Sequence, residues 1–310
     1  MSHPAPLPAP LYQGSVNAWE CDDGGHLNVR FHLERAMVGL AHMAHALQMP
    51  GAFTASAGAT LVSREAHIRF LKEARPPAPL VMHGGVINLS ETEGTFCLDM
   101  RHGDGGPSSV FTLRAAHVDT RGFRPFPWSQ RTQAAAKALA CDLPAHAQPR
   151  SMDLTKPIAD ASLQRAKEIG AIRIGATLAQ PSDCDAFGRM RTEHFMGRVS
   201  DSVPNFLQQW RRETATSNTG TVAAGAVVEA RLVMRLWPRA GDLLEVYSGV
   251  SEVAGKTMRI AHWICDPATG AAWASLEVVA LTFDTLTRKA LAPPEATRAA
   301  MQARAIPISA

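Results

Sequence analysis

The chain has 310 residues, of which 46% are hydrophobic and 19% charged, and this composition excludes an intrinsically disordered protein. The formal net charge of +3 is small and dispersed, which excludes the concentrated basic surface typical of nucleic-acid binding. Five cysteines, an odd number with no CxxC pair, argue against a disulfide framework or a zinc site and predict reduced thiols in the cytoplasm. The length suits two domains of about 150 residues each.

The first part of the chain begins with a predicted flexible arm, because residues 1–10 alternate proline with small side chains. Residues 11–20 then predict a strand, and residues 28–49 predict a helix with apolar side chains at helical spacing. Only strand-like runs follow that helix, at residues 61–71, 80–89, 95–101 and 109–119. The predicted order is therefore one strand, one long helix and four strands.

One stretch inside this part contains no Asp, Glu, Lys or Arg, namely residues 36–63. Its length invites comparison with a membrane span, which needs about 20 apolar residues. The stretch is interrupted by His42, His45, Gln48 and Pro50. A buried helix followed by a loop is therefore predicted, and no membrane partner is expected.

The second part of the chain follows a predicted linker at residues 128–167, in which an alanine-rich helical piece near residues 130–140 precedes a proline-punctuated stretch. Residues 171–179 then predict a strand. Residues 190–212 predict a helix, which Pro204 should kink or divide. Four more strands are predicted at residues 227–236, 243–251, 258–265 and 272–283.

The two parts are copies of one unit, as three short matches indicate. The segment ECDDGGHL at residues 20–27 recurs as DCDAFGRM at residues 183–190, and REAHI and HVDT recur as VEARL and TFDT in the same order. The offsets are 163, 164 and 165 residues, measured from Asp22 to Asp185, Glu65 to Glu229 and Asp119 to Asp284. This nearly constant offset predicts domains at residues 11–127 and 168–292, followed by a C-terminal tail at residues 293–310.

Each copy is predicted to be α+β. Strands joined without helices favour an antiparallel sheet, and one long apolar helix per sheet favours a sheet that wraps the helix. In the first strand after the helix, Ala66 and Ile68 point to one face. Glu65 and His67 point to the other, so one face is predicted to be core and the other polar.

The segment before each helix has an Asp, two residues and a Gly, followed by His26 in the first copy and Arg189 in the second. Glycine lets the backbone approach a ligand, and a helix start offers unpaired N–H groups and a positive dipole end. The N–H groups of Gly25 and His26 are therefore candidate donors to an oxyanion. Asp22 is a candidate general base or direct nucleophile, which is hydrolysis chemistry. The alternative is that Asp22 only caps the helix or shapes the turn.

The pattern Cys-Asp-x-x-Gly-His-Leu-Asn, followed by a long helix and the strand segment EAHIRF, resembles the hotdog-fold acyl-CoA thioesterases related to 4-hydroxybenzoyl-CoA thioesterase. The resemblance covers most of both copies, and its specific motif is the turn. It implies that Asp22 is the catalytic carboxylate, that the Gly25 N–H binds the thioester oxygen, and that Asp185 and Gly188 are the second copy's candidates. The implied reaction is hydrolysis of an acyl-CoA thioester to an acid and CoA, with no metal and no cofactor besides the CoA of the substrate.

The two copies differ after the glycine. His26 and Asn28 in the first resemble the Gly-His-x-Asn form of the family and make Asn28 a candidate substrate-binding residue, whereas the second has Arg189 and Arg191. The principal site is therefore predicted in the first copy, and the second copy has either specialised for binding or lost catalysis. Family dimers place their active sites between two hotdogs, so the resemblance implies an intramolecular pseudo-dimer with unequal sites. Exposed sheet edges would allow further association into a homo-oligomer.

Four further polar residues are candidate substrate-binding residues, each with a surface alternative. The resemblance includes Glu65 and His67 on the polar strand face, for which an ordinary solvent-facing pair is the alternative. Arg189 and Arg231 are candidates to bind the phosphates of CoA through charge-assisted hydrogen bonds. Ordinary surface arginines are the alternative for that pair.

Two other functions remain open from the sequence. A hotdog-fold enoyl-CoA hydratase resembles this class in architecture and ligand, but such hydratases carry an Asp and a His separated by four residues at the equivalent turn. Three residues separate Asp22 from His26, which counts against a hydratase. A non-catalytic acyl-CoA-binding protein would use the same helix end to hold its ligand. Regulatory hotdogs usually add a DNA-binding module, and no helix-turn-helix pattern is seen in the arm or the linker.

Overall fold

The computed structural model describes residues 9–213 and 223–308. Residues 1–8 of the predicted arm lie outside the described residues. The chain divides into two compact units, the first comprising Met1–Ser63 and Leu71–Gln148 and the second comprising Arg64–Phe70 and Pro149–Ala310.

The first unit has the predicted order of one strand, one long helix and further strands. Its elements are β1 (Tyr12–Ser15), α1 (Val29–Ala46), the beginning of β2 (Ala59–Phe70), β3 (Pro79–Leu89), β4 (Glu93–His102), β5 (Pro107–Asp119) and α2 (Gln130–Ala138). Strands β1, β3, β4 and β5 are antiparallel neighbours in that order. The antiparallel sheet and its single long central helix confirm the predicted α+β class for this copy.

Helix α1 presents an apolar face because its apolar residues recur at three- and four-residue spacing. The fully buried side chains on this face include Leu33, Ala36, Leu40 and Met43. Asn28 precedes the helix in extended conformation, and its Oδ1 accepts a hydrogen bond from the Arg30 N–H at 3.0 Å. This N-cap places the helix start one residue after the predicted one.

Strand β1 is shorter than the strand predicted over residues 11–20. The last part of that range, Ala18–Glu20, forms a 3-10 turn, closed by a hydrogen bond of 2.8 Å from the Asn17 N–H to the Glu20 carboxylate. The buried Arg35 of α1 binds the same carboxylate at 2.8 Å. This ion pair fastens the segment that leads into Asp22 to the central helix.

The second unit repeats the arrangement around a larger sheet. Its elements are Arg64–Phe70 of β2, α3 (Leu163–Glu168), β6 (Ile172–Leu178), α4 (Thr192–Glu213), β7 (Ala223–Met234), β8 (Leu243–Ala254), β9 (Thr257–Cys265), β10 (Ala272–Asp284), β11 (Ala290–Leu291) and α5 (Glu295–Ala303). The strand order is β2, β7, β10, β9, β8, β6, with β11 on β10. All of the pairings in this sheet are antiparallel, which confirms the α+β class for the second copy.

Helix α4 runs through Pro204 without being divided, contrary to one of the two predicted outcomes. Pro204 is exposed, while Phe195, Val199 and Phe206 of the same helix are buried. The packing of this apolar side compensates for the one backbone hydrogen bond that a proline removes. Trp210, which continues the predicted apolar stripe, lies outside the described side chains.

The predicted linker and C-terminal tail are packed parts of the units. The linker's helix, α2, belongs to the first unit, and residues 149–167 belong to the second. The tail carries α5, and the buried Ile306 that follows it donates its N–H to the Val250 carbonyl at 2.8 Å. A side chain at Gly249 would overlap Ile306, so this glycine makes room for the tail.

Two buried histidines connect the stability of the fold to pH. His32 Nδ1 lies 3.0 Å from Ser109 Oγ, and His262 Nδ1 lies 2.6 Å from Ser248 Oγ. Burial lowers the pKa of each imidazole to about 3, because the charged form loses its hydration inside the protein. Both histidines are therefore neutral in the folded protein at neutral pH.

We expect the free energy of unfolding to decrease as the pH falls below about 6.5, where the unfolded chain takes up protons that the folded chain refuses until near pH 3. At pH 5 each histidine should contribute a loss of about 2 kcal/mol relative to neutral pH. Urea unfolding at several pH values measures this slope. The variant His262→Gln should show a smaller decrease of the free energy of unfolding with falling pH. The control His42→Gln, at an exposed position, should show the same decrease as the wild type. An unchanged slope in His262→Gln would contradict the prediction.

Candidate active site

The first candidate site is the turn that contains Asp22, which closes on itself through backbone hydrogen bonds. Cys21 and Leu27 form an antiparallel bridge at its base. The Asp22 N–H donates to the His26 carbonyl at 2.8 Å, and the Gly25 N–H donates to the Asp22 carbonyl at 3.0 Å. Gly25 has a φ of 72°, a left-handed conformation that costs glycine little. The Asp-x-x-Gly motif therefore encodes a tight turn.

The Asp22 carboxylate uses one oxygen to hold this turn and leaves the other open. Its Oδ1 accepts hydrogen bonds from the N–H groups of Gly24 and His26, both at 3.0 Å. Its Oδ2 has no hydrogen-bond partner among the described residues, and the side chain is 40% exposed. The result is a carboxylate with a fixed orientation and one oxygen that water can reach.

His26 lies beside this carboxylate and is held by the segment before β3. Its Nδ1 is 3.9 Å from Asp22 Oδ1, and its Nε2 is 2.8 Å from Glu73 Oε2. Arg75 Nη2 also lies within hydrogen-bond distance of Nε2. A protonated Nε2 donates to Glu73 and a bare Nε2 accepts from Arg75, so these two bonds are alternatives. The ring is thereby held in one place in either protonation state.

The start of α1 lies directly after this turn. Asn28, a predicted substrate-binding residue, caps the helix: the Arg30 N–H donates to its Oδ1 at 3.0 Å and the Phe31 N–H to its carbonyl at 2.9 Å. Within the described residues, the N–H of Val29, the first helical residue, has no acceptor. The positive end of the helix therefore offers one open donor.

The two N–H groups that the sequence predicts as oxyanion donors already form hydrogen bonds within the turn. The Gly25 N–H donates to the Asp22 carbonyl, and the His26 N–H donates to Asp22 Oδ1. Neither group is free for a thioester oxygen, so this hydrogen bonding does not support their assignment. The physical reason is that Asp22 shapes the turn by accepting hydrogen bonds from these same N–H groups.

The second candidate site has the same backbone. The Asp185 N–H donates to the Arg189 carbonyl at 2.7 Å, and the Gly188 N–H donates to the Asp185 carbonyl at 3.0 Å. Asp185 Oδ1 accepts from the N–H groups of Phe187 and Arg189 at 2.9 and 3.0 Å. The duplication seen in the sequence therefore extends to individual hydrogen bonds, including the positive φ of 74° at Gly188.

The Asp185 carboxylate differs from that of Asp22 because both of its oxygens are engaged. Arg189 donates from Nε and Nη2 to Asp185 Oδ2 at 3.1 and 2.8 Å. The Arg189 guanidinium is buried and lies 5.3 Å from the centroid of the Phe187 ring, so the surface alternative for this arginine is wrong. Both oxygens of the Asp185 carboxylate therefore accept hydrogen bonds from within the turn.

Sequence reasoning missed the segment that closes each turn from the other side. The Leu27 N–H donates to the Ala74 carbonyl at 2.8 Å, and the Met190 N–H donates to the Pro238 carbonyl at 2.7 Å. Ala74 and Pro238 are 164 residues apart, which is the offset of the repeat. The flanking residues therefore correspond as well, Glu73 to Trp237 and Arg75 to Arg239. Extending the repeat to this segment would have found them.

Three of the predicted substrate-binding residues lie in a buried network of the second unit. His67 Nε2 is 2.8 Å from Glu229 Oε1, and Arg231 Nε donates to Glu65 Oε1 at 2.8 Å. The side chains of His67 and Arg231 are 2% and 3% exposed. The solvent-facing alternative is therefore wrong for His67, and the surface alternative is wrong for Arg231. Glu65 is partly buried, with 16% of its side chain exposed.

This polar sheet face is covered by residues 150–161, here called the linker strap. Side chains of the sheet hold the strap by its backbone. The bonds from Arg231 reach the carbonyls of Asp153 and Leu154 at 3.3 and 2.7 Å, and Glu229 accepts from the N–H groups of Arg150 and Ser151 at 3.1 and 2.9 Å. Further bonds join Arg235 to the Ile158 carbonyl, Arg259 to the Ser151 carbonyl and Trp263 to the Asp160 carbonyl. The alternation of residues along a strand predicts a polar face, but it does not predict which segment covers that face.

The network shifts the pKa values of two carboxyl groups in opposite directions. Burial raises the pKa of Glu277, and the charges of Arg231 and Arg259 only partly oppose this. Burial also acts to raise the pKa of Glu229, but hydrogen bonds from His67 and from the strap N–H groups outweigh it and lower that pKa. Glu229 is therefore a buried carboxylate stabilised by its donors.

Three further observations concern the described residues as a whole. Among them, no group of three or more His, Cys, Asp or Glu side chains is arranged to hold a metal ion. No helix in the described part of the chain combines the length and the apolar character needed to cross a membrane. The five cysteines are all free.

The paired turns and the duplicated α+β fold agree with comparison to known families. The model of the thioesterase-like superfamily matches residues 16–136 and 179–301, one match in each copy and more than half of the chain together. The chain belongs to the thioesterase-like superfamily, and by class it is a thioester hydrolase. No curated protein matches the chain significantly.

Solved thioesterase structures share the whole architecture. A Lactobacillus plantarum protein assigned as an oleoyl thioesterase aligns over 87% of this chain and 95% of its own, with a TM-score of 0.68 and 12% identity. The 12:0-ACP thioesterase from Umbellularia californica aligns over 87% of this chain and 93% of its own, with a TM-score of 0.66 and 11% identity. An acyl-ACP thioesterase from Bacteroides thetaiotaomicron aligns over 87% and 96%, with a TM-score of 0.62 and 14% identity. At these identities the likeness shows the tandem hotdog fold alone.

Proposed function

We propose that the protein hydrolyses acyl-CoA thioesters to a free acid and CoA, with Asp22 as the general base. The observation that carries this proposal is the open Asp22 Oδ2, beside an Oδ1 that two backbone N–H groups hold in place. Asp185, the corresponding carboxylate, has no such oxygen. The turnover is therefore assigned to the first copy.

In the proposed reaction, a water molecule on Asp22 Oδ2 attacks the thioester carbon and gives its proton to the carboxylate. The carbonyl oxygen becomes an oxyanion, stabilised by the open Val29 N–H and the positive end of α1, an effect on the order of 3 kcal/mol per donor. The carbon–sulfur bond then breaks, and the proton on Asp22 passes to the departing sulfur. Asp22 is left as a carboxylate.

His26 is proposed as a positioning residue. Its N–H fixes Asp22 Oδ1, and its ring, held at 2.8 Å by Glu73, lies 3.9 Å from the same oxygen. The proposed reaction uses no metal and no cofactor beyond the CoA of the substrate. A cytoplasmic location, suggested by five free thiols, and an intramolecular pseudo-dimer, open to further association, belong to the same proposal.

The experiment measures thiol release by purified protein from a panel of aliphatic and aromatic acyl-CoA thioesters. We expect release that is proportional to enzyme concentration for at least one member of the panel. Two named relatives are acyl-ACP thioesterases, so acylated carrier protein forms a parallel arm. Crotonyl-CoA is included to test the hydratase alternative by the loss of its double bond. Absence of thiol release from every acyl-CoA would exclude the proposed function.

A further inference from the structure

Three arginines from separate segments meet at the second turn. The backbones of Arg189 and Arg239 form an antiparallel bridge. Arg64 of β2 lies over the Trp237 ring, with its guanidinium carbon 5.5 Å from the ring centroid. Arg239 Nη1 lies 3.6 Å from the position that a Cβ would take on Gly188. Three guanidinium groups therefore surround the turn that replaces the catalytic one.

The charge balance around this turn is positive. Burial lowers the pKa of Arg189, Asp185 opposes that effect, and the charges of Arg239 and Arg64 lower the pKa further, so both of these cations lie close enough to repel Arg189. A second carboxylate, Asp242, accepts a hydrogen bond from the Arg239 backbone N–H at 2.8 Å. Three cations thus face two carboxylates.

The first turn has the opposite balance. Its charged side chains are Asp22, Asp23, Glu73 and Arg75, with His26 among them. In the second copy a tryptophan stands where Glu73 stands and an arginine where His26 stands. The substitutions remove one carboxylate and add one permanent cation at corresponding positions, so the charge at the second turn favours an anion.

Two of the three cations of this turn are held in position before any ligand arrives. The Trp237 ring fixes Arg64 by a cation–π contact, and Asp185 fixes Arg189 by two hydrogen bonds. In the part of the chain that the structure describes, neither Arg64 nor the exposed Arg239 forms an ion pair with a carboxylate. Guanidinium groups match phosphate oxygens through paired hydrogen bonds, and groups already in place lose little entropy on binding.

We propose that the second turn binds the phosphates at the nucleotide end of CoA and does not hydrolyse thioesters. The phosphate site is argued from the three arginines, whereas CoA as the source of the phosphates rests on the proposed function. CoA carries a diphosphate and a separate phosphate on its ribose, which supply several negative charges. Asp185 holds Arg189 and takes no part in chemistry there.

The test is isothermal titration calorimetry with CoA as the probe. Replacing both open arginines, Arg64→Gln with Arg239→Gln, should weaken CoA binding by at least about tenfold, because two charge-assisted contacts are lost. The single variant Arg239→Gln, at an exposed position, should show a smaller weakening and guards against misfolding of the double variant. Lys256→Gln is the matched control, since this exposed lysine lies in the turn at the other end of β8. It should bind CoA as the wild type does.

Competition identifies the part of CoA that is bound. Pyrophosphate should displace CoA from the arginine-dependent site, and pantetheine, which has no phosphate, should not. Wild-type affinity in the double variant would overturn the proposal, as would displacement by pantetheine alone. A third outcome would also overturn the proposal: the wild type does not bind CoA but hydrolyses acylated carrier protein, and the double variant loses that hydrolysis. The phosphate bound at the arginines would then belong to a carrier protein.

The two proposals fail in different ways. CoA has no thioester, so its binding does not depend on hydrolysis. Arginine-dependent CoA binding without thiol release from any acyl-CoA would sink the proposed function and leave the phosphate site standing. Thiol release together with CoA binding that does not depend on the arginines would exclude the phosphate site and support the proposed function.

Discussion

Replacing Asp22 with asparagine should lower thiol release from acyl-CoA by roughly 10²–10⁴-fold, the contribution typical of a positioned general base. Asparagine keeps the oxygen that accepts the N–H groups of Gly24 and His26, so the turn should keep its shape. It loses the charged Oδ2 that activates water. Steady-state thiol release measures kcat and kcat/KM, and urea unfolding checks that stability is retained.

Asp185→Asn is the matched control for this experiment. The same atom is changed in the same turn, but the Asp185 oxygens are engaged by Arg189 and by backbone N–H groups. We expect this variant to retain most of the thiol release. Loss of turnover in Asp185→Asn with turnover retained in Asp22→Asn would mean that the second turn is the principal site.

Replacing Glu229 with alanine should lower the free energy of unfolding by about 3 kcal/mol or more, because three hydrogen-bond partners lose their acceptor at a cost of about 1–3 kcal/mol each. The change leaves His67 and the N–H groups of Arg150 and Ser151 buried without their acceptor. Urea unfolding followed by tryptophan fluorescence measures the loss. Glu229→Gln, which keeps one oxygen acceptor, should lose less.

Glu252→Ala is the control for this loss. Glu252 pairs with Arg259 at 3.4 Å, but its side chain is 53% exposed, and surface pairs of this kind contribute about 0–1 kcal/mol. Both glutamates lie in the second unit. Equal losses in Glu229→Ala and Glu252→Ala would show that the buried network does not stabilise the strap and the sheet.

Much of this fold could be predicted from local patterns in the sequence. The helices and strands were predictable because apolar residues repeat at periods of 3.6 and 2 along the chain, and Ala66 and Ile68 are buried as their alternation requires. The duplication was predictable because the Asp-x-x-Gly turn needs a particular backbone, which both copies retain. The difference between the two turns was predictable because Arg189 and Arg191 of the second copy replace His26 and Asn28 of the first.

The rest depended on contacts between residues distant in the chain. Alternation placed Glu65 and His67 on a polar face, but no local signal indicates that the linker strap covers that face and removes it from solvent. The open oxygen of Asp22 was also out of reach, because it depends on which N–H groups the turn directs at each oxygen. Glu73 was missed because it meets His26 across 47 residues of chain.

The linker strap is held through its peptide groups and through two buried apolar side chains, Ile158 and Ala161. Arginines, a glutamate and a tryptophan of the sheet bind the strap's carbonyls, which every residue type supplies, and its N–H groups, which every residue type except proline supplies. Evolution is therefore free to exchange the strap's exposed side chains. Its length stays constrained, because one inserted residue would displace each later carbonyl by about 3.3 Å. The strap can therefore change in sequence at its exposed positions without losing its attachment to the sheet, whereas the polar residues beneath are tied to one another.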